Sequence, residues 1–135
     1  MPQFSKKSLV RLREAHSKLQ EVFLEVINYF DCTVVTGHRS EEEQEHMFDL
    51  GRSKVHYPDS KHNHEPALAV DVAPCPVDWE DIKRFHYFAG FVMGVAAEKG
   101  IKLRWGGDWD RDTEVKDNKF DDLLHFELIE DKNSE

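Results

Sequence analysis

Ser60-Lys61-His62-Asn63-His64-Glu65-Pro66-Ala67-Leu68-Ala69-Val70-Asp71 is the stretch of sequence on which the rest of the chain depends. It holds two imidazoles and two carboxylates, and its end enters the apolar run Leu68–Ala73. A carboxylate within such a run is costly to bury unless a cation compensates its charge. A metal ion would supply that charge, and neutral imidazoles from an adjoining loop are its usual partners. Asp71 is therefore a candidate metal ligand, with His62 or His64 as a second.

A third ligand is available near the end of the chain, where His125 lies in the strand-like segment Leu123–Leu128. Zinc hydrolases use three protein ligands and leave one position for a water molecule, whose pKa falls to about 7 on the metal. Such a site also needs a general base beside that water. Asp122 precedes His125 by three residues, and Glu127 shares a strand face with it, so either carboxylate could be the base. The residues predict a His/Asp/His zinc site in a small metallohydrolase.

Composition and charge limit the class of protein and its partners. The whole chain, residues 1–135, is most simply one domain, with flexible tails expected at 1–7 and 131–135. A net charge of −9 disfavours nucleic acid and anionic membranes as partners. No run is long and apolar enough to span a membrane, and Met1–Val10 lacks the apolar core of a signal peptide. We therefore expect synthesis in the cytoplasm, with any action outside it following release.

Apolar periodicity and turn residues divide the chain into helices and short strands. Helices are predicted over three segments: Leu9–Phe30, from the Ser40/Glu43 capping box to Gly51, and from Asp78 and Asp81 to Gly100. Strands are predicted over four segments: Cys32–Thr36, Leu68–Ala73, Ile101–Trp105 and Leu124–Ile129. The apolar face of the last helix begins at Ile82, and His125, Glu127 and Ile129 share one face of the last strand. The pattern predicts a single compact α+β domain.

Four segments in this order give the sequence a family resemblance. They are Thr36–Ser40, Ser60–Asn63 with Pro66 and Ala69–Pro74, Arg104–Trp109, and Asp122–Leu128. Together they resemble the zinc peptidases that include D-alanyl-D-alanine carboxypeptidases and phage L-alanyl-D-glutamate endopeptidases, which cut peptidoglycan stem peptides. That superfamily also contains the hedgehog signalling fold. The resemblance implies a small antiparallel sheet flanked by helices.

The resemblance also implies roles for particular residues. The loop histidine, Asp71 and His125 would bind Zn²⁺, and the acid three residues before the last histidine, here Asp122, would be the catalytic base. His64 fits the spacing of seven residues to the aspartate found across the family, whereas His62 fits the nine-residue spacing of the phage-type subgroup. We favour His62, because the residues around it also match that subgroup.

Substrate contacts follow from the same resemblance. Arg39 would hold a substrate carboxylate or steady the oxyanion, and we assign Ser60 and Asp108 to substrate binding with it. The chain departs from the family pattern at Asp122, where many relatives have glutamate, and at Leu124, where proline is frequent. A structural reading remains beside the catalytic one, because Arg39 could pair with the nearby glutamates and Asp108 could cap a turn.

The function that the resemblance implies is that of a phage endolysin-like L-alanyl-D-glutamate endopeptidase. A D,D- or L,D-carboxypeptidase of the cell wall is the alternative within enzymes. A hedgehog-like domain that keeps zinc for stability and binds a partner without catalysis is the alternative outside them. In each enzymatic case the partner is a peptidoglycan stem peptide, and we expect the protein to be a monomer.

Overall fold

A small antiparallel sheet carries the residues that the sequence singles out, and helices pack around it. The computed structural model describes residues 2–113 and 122–129. In that part of the chain the strands are β1 (Cys32–Thr36), β2 (Ala69–Pro74), β3 (Leu103–Gly106) and β4 (Asp122–Leu128), in the order β1-β2-β4-β3. The helices are α1 (Lys6–Arg13), α2 (Ser17–Val26), α3 (Glu41–Asp49) and α4 (Ile82–Glu98), with a 3₁₀ turn at Lys61–Asn63. The predicted α+β fold is confirmed.

The prediction of one helix over Leu9–Phe30 was wrong, because the chain leaves the helix between α1 and α2. Ala15 forms an isolated parallel bridge with Ala67. On either side of it, the His16 amide donates to the Ala67 carbonyl and the Ala67 amide donates to the Glu14 carbonyl, at 2.8 and 2.9 Å. The apolar periodicity continues across this break, so the local sequence pattern did not reveal where the helix ends. The hydrogen bonds made at the break hold the loop that precedes β2 against the helices.

One further boundary and the burial of one residue differ from the prediction. The Ser5 hydroxyl caps α1, so this helix begins at Lys6 and includes two residues of the segment 1–7 that was expected to be a tail. Ile82, expected on the buried face of α4, is 48% exposed because it lies in the first turn after the Asp81 N-cap. The expected tail at 131–135 lies outside the described residues.

The two faces of the sheet are chemically different because successive side chains of a strand point to opposite sides. On the helix side, Val72 of β2 and Phe126 of β4 are fully buried. Phe23 of α2 meets the Phe126 ring edge to face, with the ring centroids 5.5 Å apart. Asp71 and His125 point to the other face. The core thus fixes the strands that carry the site.

Candidate metal centre and its cleft

Asp71 and His125 face each other directly on adjacent strands, since they are register partners in the antiparallel pair of β2 and β4. The Asp71 Oδ1 atom lies 3.3 Å from His125 Nδ1 and 3.2 Å from His62 Nε2. One ligand atom from each of the three side chains lies within 4.8 Å of the other two. All three residues are buried, with exposures of 2% for His62, 6% for Asp71 and 7% for His125. The three predicted ligands therefore form one cluster that could hold a metal ion.

The 3₁₀ turn determines which loop histidine enters the cluster. Ser60 caps this turn, because its hydroxyl accepts from the His62 amide and its own amide donates to the Asn63 side chain at 3.0 Å. The Asn63 amide group in turn donates to the Arg39 carbonyl at 3.0 Å. These bonds direct His62 inward, whereas His64 follows the turn in an extended conformation and is exposed. The structure places His62, not His64, beside Asp71.

Each histidine is oriented by a hydrogen bond from its second ring nitrogen. His62 Nδ1 lies 2.8 Å from the Gly37 carbonyl, which can only accept, so this nitrogen donates and Nε2 is the ring atom that faces Asp71. His125 Nε2 lies 2.8 Å from the Glu127 carboxylate, leaving Nδ1 toward Asp71. Metal-binding histidines in proteins are held by such outer partners. The geometry presents one nitrogen of each ring to a common point.

Glu127, one of the two candidate bases, lies behind His125. It is buried, and its Oε2 atom is 3.3 Å from Lys61 Nζ and 3.7 Å from an Arg104 guanidinium nitrogen. Burial would raise the pKa of Glu127, but the bond to His125 and the charges of His125 and Lys61 hold it below its ordinary value. The ionised carboxylate therefore serves as the outer partner of a histidine.

Gly37, the residue that follows β1, is required for this arrangement. A Cβ atom at this position would lie 2.1 Å from the Arg11 carbonyl oxygen of α1. No side chain fits at that distance, so glycine lets the loop approach the helix closely enough for its carbonyl to meet His62. Only the tertiary contact with α1 reveals this requirement.

Arg39 is held behind Asp71 rather than among the glutamates at the start of α3. One guanidinium nitrogen donates to Gln44 Oε1 at 3.0 Å, and another lies 3.5 Å from Asp71 Oδ2. Arg39 is 8% exposed and lines the cleft described below. Gln44 is fully buried, and its amide group also donates to the Val55 carbonyl at 2.8 Å. Sequence reasoning missed Gln44, although it is the one uncharged residue in the run Glu41–Glu45.

Asp122, the other candidate base, lies at the edge of the cluster. Its Oδ2 atom is 4.0 Å from His125 Nδ1, and its side chain is 31% exposed. Burial and the charge of Asp71 raise the pKa of Asp122, which suits a proton acceptor. Gly106 of β3 permits this placement, because a Cβ atom there would lie 2.0 Å from the Asp122 carbonyl oxygen.

The cluster brings opposite charges together among buried side chains. Burial would raise the pKa of Asp71, but the two neighbouring imidazoles hold it well below its usual range. Burial would lower the pKa of His125, but its hydrogen bonds to Asp71 and Glu127 raise it to about 10. In the protein alone, a proton on His125 thus compensates the Asp71 carboxylate. A bound cation would take over this role.

The cluster opens into a cleft of about 740 Å³. Asp122, Ser60 and Arg39 line it together with the three clustered residues, and Trp79 and Trp109 also contribute to its wall. The Trp109 ring centroid lies 5.4 Å from that of His125.

The structure does not bring Asp108, which we expected to bind substrate, to the cleft lining. Its Oδ2 atom accepts from the Thr113 amide at 2.9 Å, so it caps a turn. Asp108, Asp110 and Asp112 form a second acidic group, which is more exposed than the first. Among the described residues, no helix combines the length and apolar character needed to cross a membrane.

Comparison with known proteins relates this geometry to one enzyme family. Residues 1–129 match the family model of phage L-alanyl-D-glutamate peptidases. The L-alanyl-D-glutamate peptidase of Escherichia phage T5 is 31% identical over 135 aligned positions, which cover 93% of this chain and 97% of the phage protein. The crystal structure of the Serratia marcescens L-Ala D-Glu endopeptidase ChiX superposes with a TM-score of 0.73 at 28% identity, covering 94% of this chain and 90% of that one.

Proposed function

Because the chain belongs to the phage L-alanyl-D-glutamate peptidase family, we propose that it is a zinc-dependent endopeptidase that hydrolyses the bond between L-alanine and D-glutamate in peptidoglycan. The observation that carries this proposal is the cluster of His62, Asp71 and His125 at the base of a cleft, with each histidine oriented by an outer partner. The protein acts on the cell wall as an endolysin does, after its release.

The donor set fits zinc. Two imidazole nitrogens and one carboxylate oxygen are a ligand combination of catalytic zinc sites, which keep a fourth position open. His62 Nε2, an Asp71 carboxylate oxygen and His125 Nδ1 would hold the ion, since these atoms already converge. When bound, zinc supplies a Lewis acid that polarises a carbonyl and lowers the pKa of water from about 15.7 to about 7.

Asp122 is the residue we assign to proton transfer. It borders the cluster without belonging to it, and it is partly open to the cleft. In the proposed reaction its carboxylate accepts a proton from the attacking water. The same carboxyl group then donates that proton to the departing amine of D-glutamate. Glu127 cannot share this task, because its carboxylate is engaged by His125 and Lys61.

Arg39 and Ser60 are assigned to positioning and substrate contact. The Arg39 guanidinium restrains the second oxygen of Asp71 and also lines the cleft, where it can meet a substrate carboxylate or a developing oxyanion. Ser60 lines the same cleft next to the turn that it caps. A cell-wall carboxypeptidase is the second candidate function, because a cation at Arg39 can receive a free terminal carboxylate.

The test is fragment analysis of purified peptidoglycan by mass spectrometry. We expect the native protein to release new C-terminal L-alanine and N-terminal D-glutamate, and expect metal stripping to abolish the release until zinc is restored. Asp122→Asn should keep one zinc per chain and lower kcat by about 10²- to 10⁴-fold, the range of general acid–base catalysis. Asp49→Asn, a change at an exposed aspartate of α3, is the matched control and should behave like the native protein.

Other results would replace this function with a specific alternative. Release of single terminal residues would indicate a carboxypeptidase. Zinc retention without any cleavage, in the native protein and in Asp122→Asn alike, would indicate a hedgehog-like binding domain. Undiminished cleavage after metal stripping would contradict the zinc mechanism.

A further inference from the structure

Trp79 stands out because a large apolar ring is exposed beside the proposed catalytic site. It lies in the turn between β2 and α4, lines the cleft and is 57% exposed. One face of its ring system stacks on Phe85, with centroids 5.8 Å apart and planes inclined by 20°. Phe85 is itself 3% exposed, so it anchors the stack to the buried side of α4. The cleft therefore has a supported aromatic plane that is largely open to solvent.

Packing alone does not account for this arrangement. A tryptophan that serves the core would bury both ring faces, because the free energy gained scales with the apolar area removed from water. Trp105 illustrates the contrast: it is 6% exposed, and its indole nitrogen donates to the Leu123 carbonyl. Trp79 instead leaves most of its surface available for a ligand in the cleft.

The chemistry of the substrate indicates what could lie there, an argument that rests on the proposed function. In peptidoglycan, the L-alanine of the stem peptide is joined through a lactyl group to an N-acylated amino sugar of the glycan strand. Only the alanine residue and the lactyl group separate that sugar from the scissile carbonyl, a span of about 7 Å in extended geometry. An enzyme that cuts after this alanine must therefore accommodate the sugar close to its catalytic residues.

The cleft and the ring suit a sugar at that position. The cleft volume, about 740 Å³, is in the upper part of the range of about 300–1,000 Å³ that encloses drug-sized ligands. It has room for more than the two residues that flank the bond. A pyranose ring presents faces of C–H groups, which gain dispersion contacts when they pack flat on an aromatic plane.

We propose that the exposed face of Trp79 packs against the amino sugar that carries the stem peptide, so that the enzyme prefers glycan-linked stem peptides to free ones. Trp79 is then a specificity-determining residue and takes no part in bond cleavage. Trp109, whose ring centroid lies 5.4 Å from that of His125, borders the cluster itself and would act on both kinds of substrate.

The experiment compares two substrates with the same scissile bond: a soluble disaccharide-linked stem peptide and the free stem peptide. We expect native enzyme to have the higher kcat/KM on the linked substrate. Trp79→Ala should lower that value by about tenfold, mainly through KM, because a stacked aromatic contact contributes up to about 1.5 kcal/mol. Its effect on the free peptide should be at most about twofold by the same reasoning. Trp79→Phe should restore most of the preference.

Tyr87→Ala is the matched control, because Tyr87 is an aromatic residue that is 73% exposed and lies outside the cleft lining. It should leave both rates unchanged. Equal losses on the two substrates with Trp79→Ala, or no loss on either, would overturn the proposal. If native enzyme cleaves neither substrate, the proposed function itself fails, which is a different result. Thermal unfolding of each variant shows whether the fold is kept.

Discussion

The cleft has two walls that differ in how firmly their side chains are held. The inner wall, defined as His62, Asp71 and His125, is at most 7% exposed, and hydrogen bonds from the surrounding chain orient each of its residues. The outer wall, defined as Trp79 and Trp109, comes from turns, and Trp79 is 57% exposed. This contrast in burial matches the roles that we propose for the two walls: the inner wall holds the catalytic geometry for every substrate, and the outer wall selects among substrates.

Replacing a ligand of the inner wall should have the largest effect. Asp71→Asn keeps the shape of the side chain but removes the charge that pairs with His125 and that we propose binds the metal. We expect zinc affinity to fall by more than about 100-fold, since loss of an outer partner alone costs about 10- to 100-fold. Activity should fall to background on linked and free peptides equally. Metal content after dialysis and kcat/KM on both substrates measure these losses.

The same variant should also reduce stability in the absence of metal. His125 would lose one of the two carboxylates that hold its pKa at about 10, and breaking a buried ion pair costs up to about 3–5 kcal/mol. Urea unfolding of the metal-free proteins tests this, with Asp49→Asn as the control for losing an exposed charge. A variant that retains one zinc and most of its activity would show that Asp71 is not a ligand.

An intermediate effect is expected at the support of the inner wall. Glu127→Gln keeps an oxygen that can accept from His125 Nε2, but it removes the charge that strengthens this bond and pairs with Lys61. We expect zinc affinity to fall by about tenfold, the lower end of the range for outer partners. At saturating zinc, kcat should change by less than about threefold, because the site is then filled and the three proposed ligands are unchanged.

This variant separates the two carboxylates that the sequence left as candidate bases. If Glu127 were the base, Glu127→Gln would keep its zinc affinity and lose kcat, which is the behaviour expected of Asp122→Asn. Competition with a chromogenic chelator gives the affinities, and initial rates at saturating zinc give kcat. The opposite pattern in the two variants would exchange their roles.

The sequence could predict those features of the inner wall that a few neighbouring residues determine. Asp71 and His125 were identifiable because an acid in an apolar run and a histidine in a strand are local signals, and strand alternation placed Glu127 on the same face as His125. The choice of His62 depended on the residues around it, and the 3₁₀ turn that points it inward is capped by neighbours in sequence, Ser60 and Asn63. Features that are encoded within a few residues were predictable.

Features that depend on contacts between distant segments were not. The break between α1 and α2 exists because Ala15 pairs with Ala67, about fifty residues away, which no periodicity reveals. Gln44 lies in a run of glutamates that is typical of a solvated helix face, yet it is fully buried. Its side-chain oxygen accepts a hydrogen bond from Arg39, and its side-chain amide donates one to the Val55 carbonyl. The need for glycine at position 37 follows only from the approach of α1.

The smallest effect is expected at α3, which supports the inner wall through Gln44 but begins at an exposed cap. The Glu43 carboxylate accepts from the Ser40 amide at 3.0 Å, and the Ser40 hydroxyl accepts from the Glu43 amide at 3.2 Å. These bonds lower the pKa of Glu43 below its ordinary value of 4.5. Because the folded pKa is depressed, the stabilisation is present above pH 4.5 and is lost as the pH falls through the folded value.

Glu43→Gln removes this pH dependence but keeps a capping side chain, since glutamine also serves at this position of a capping box. We expect the native protein to exceed the variant by less than about 0.5 kcal/mol at pH 7, because the carboxylate is largely exposed and screened. The difference should shrink toward zero as the pH falls below 4.5 and through the folded pKa of Glu43. Urea unfolding of both proteins across this range measures it, and effects of metal ligands cancel in the difference. If the difference in unfolding free energy between the two proteins stayed constant with pH, the charge of Glu43 would not stabilise α3. If Glu43→Gln also lowered zinc affinity, the buried inner wall would depend on this exposed cap.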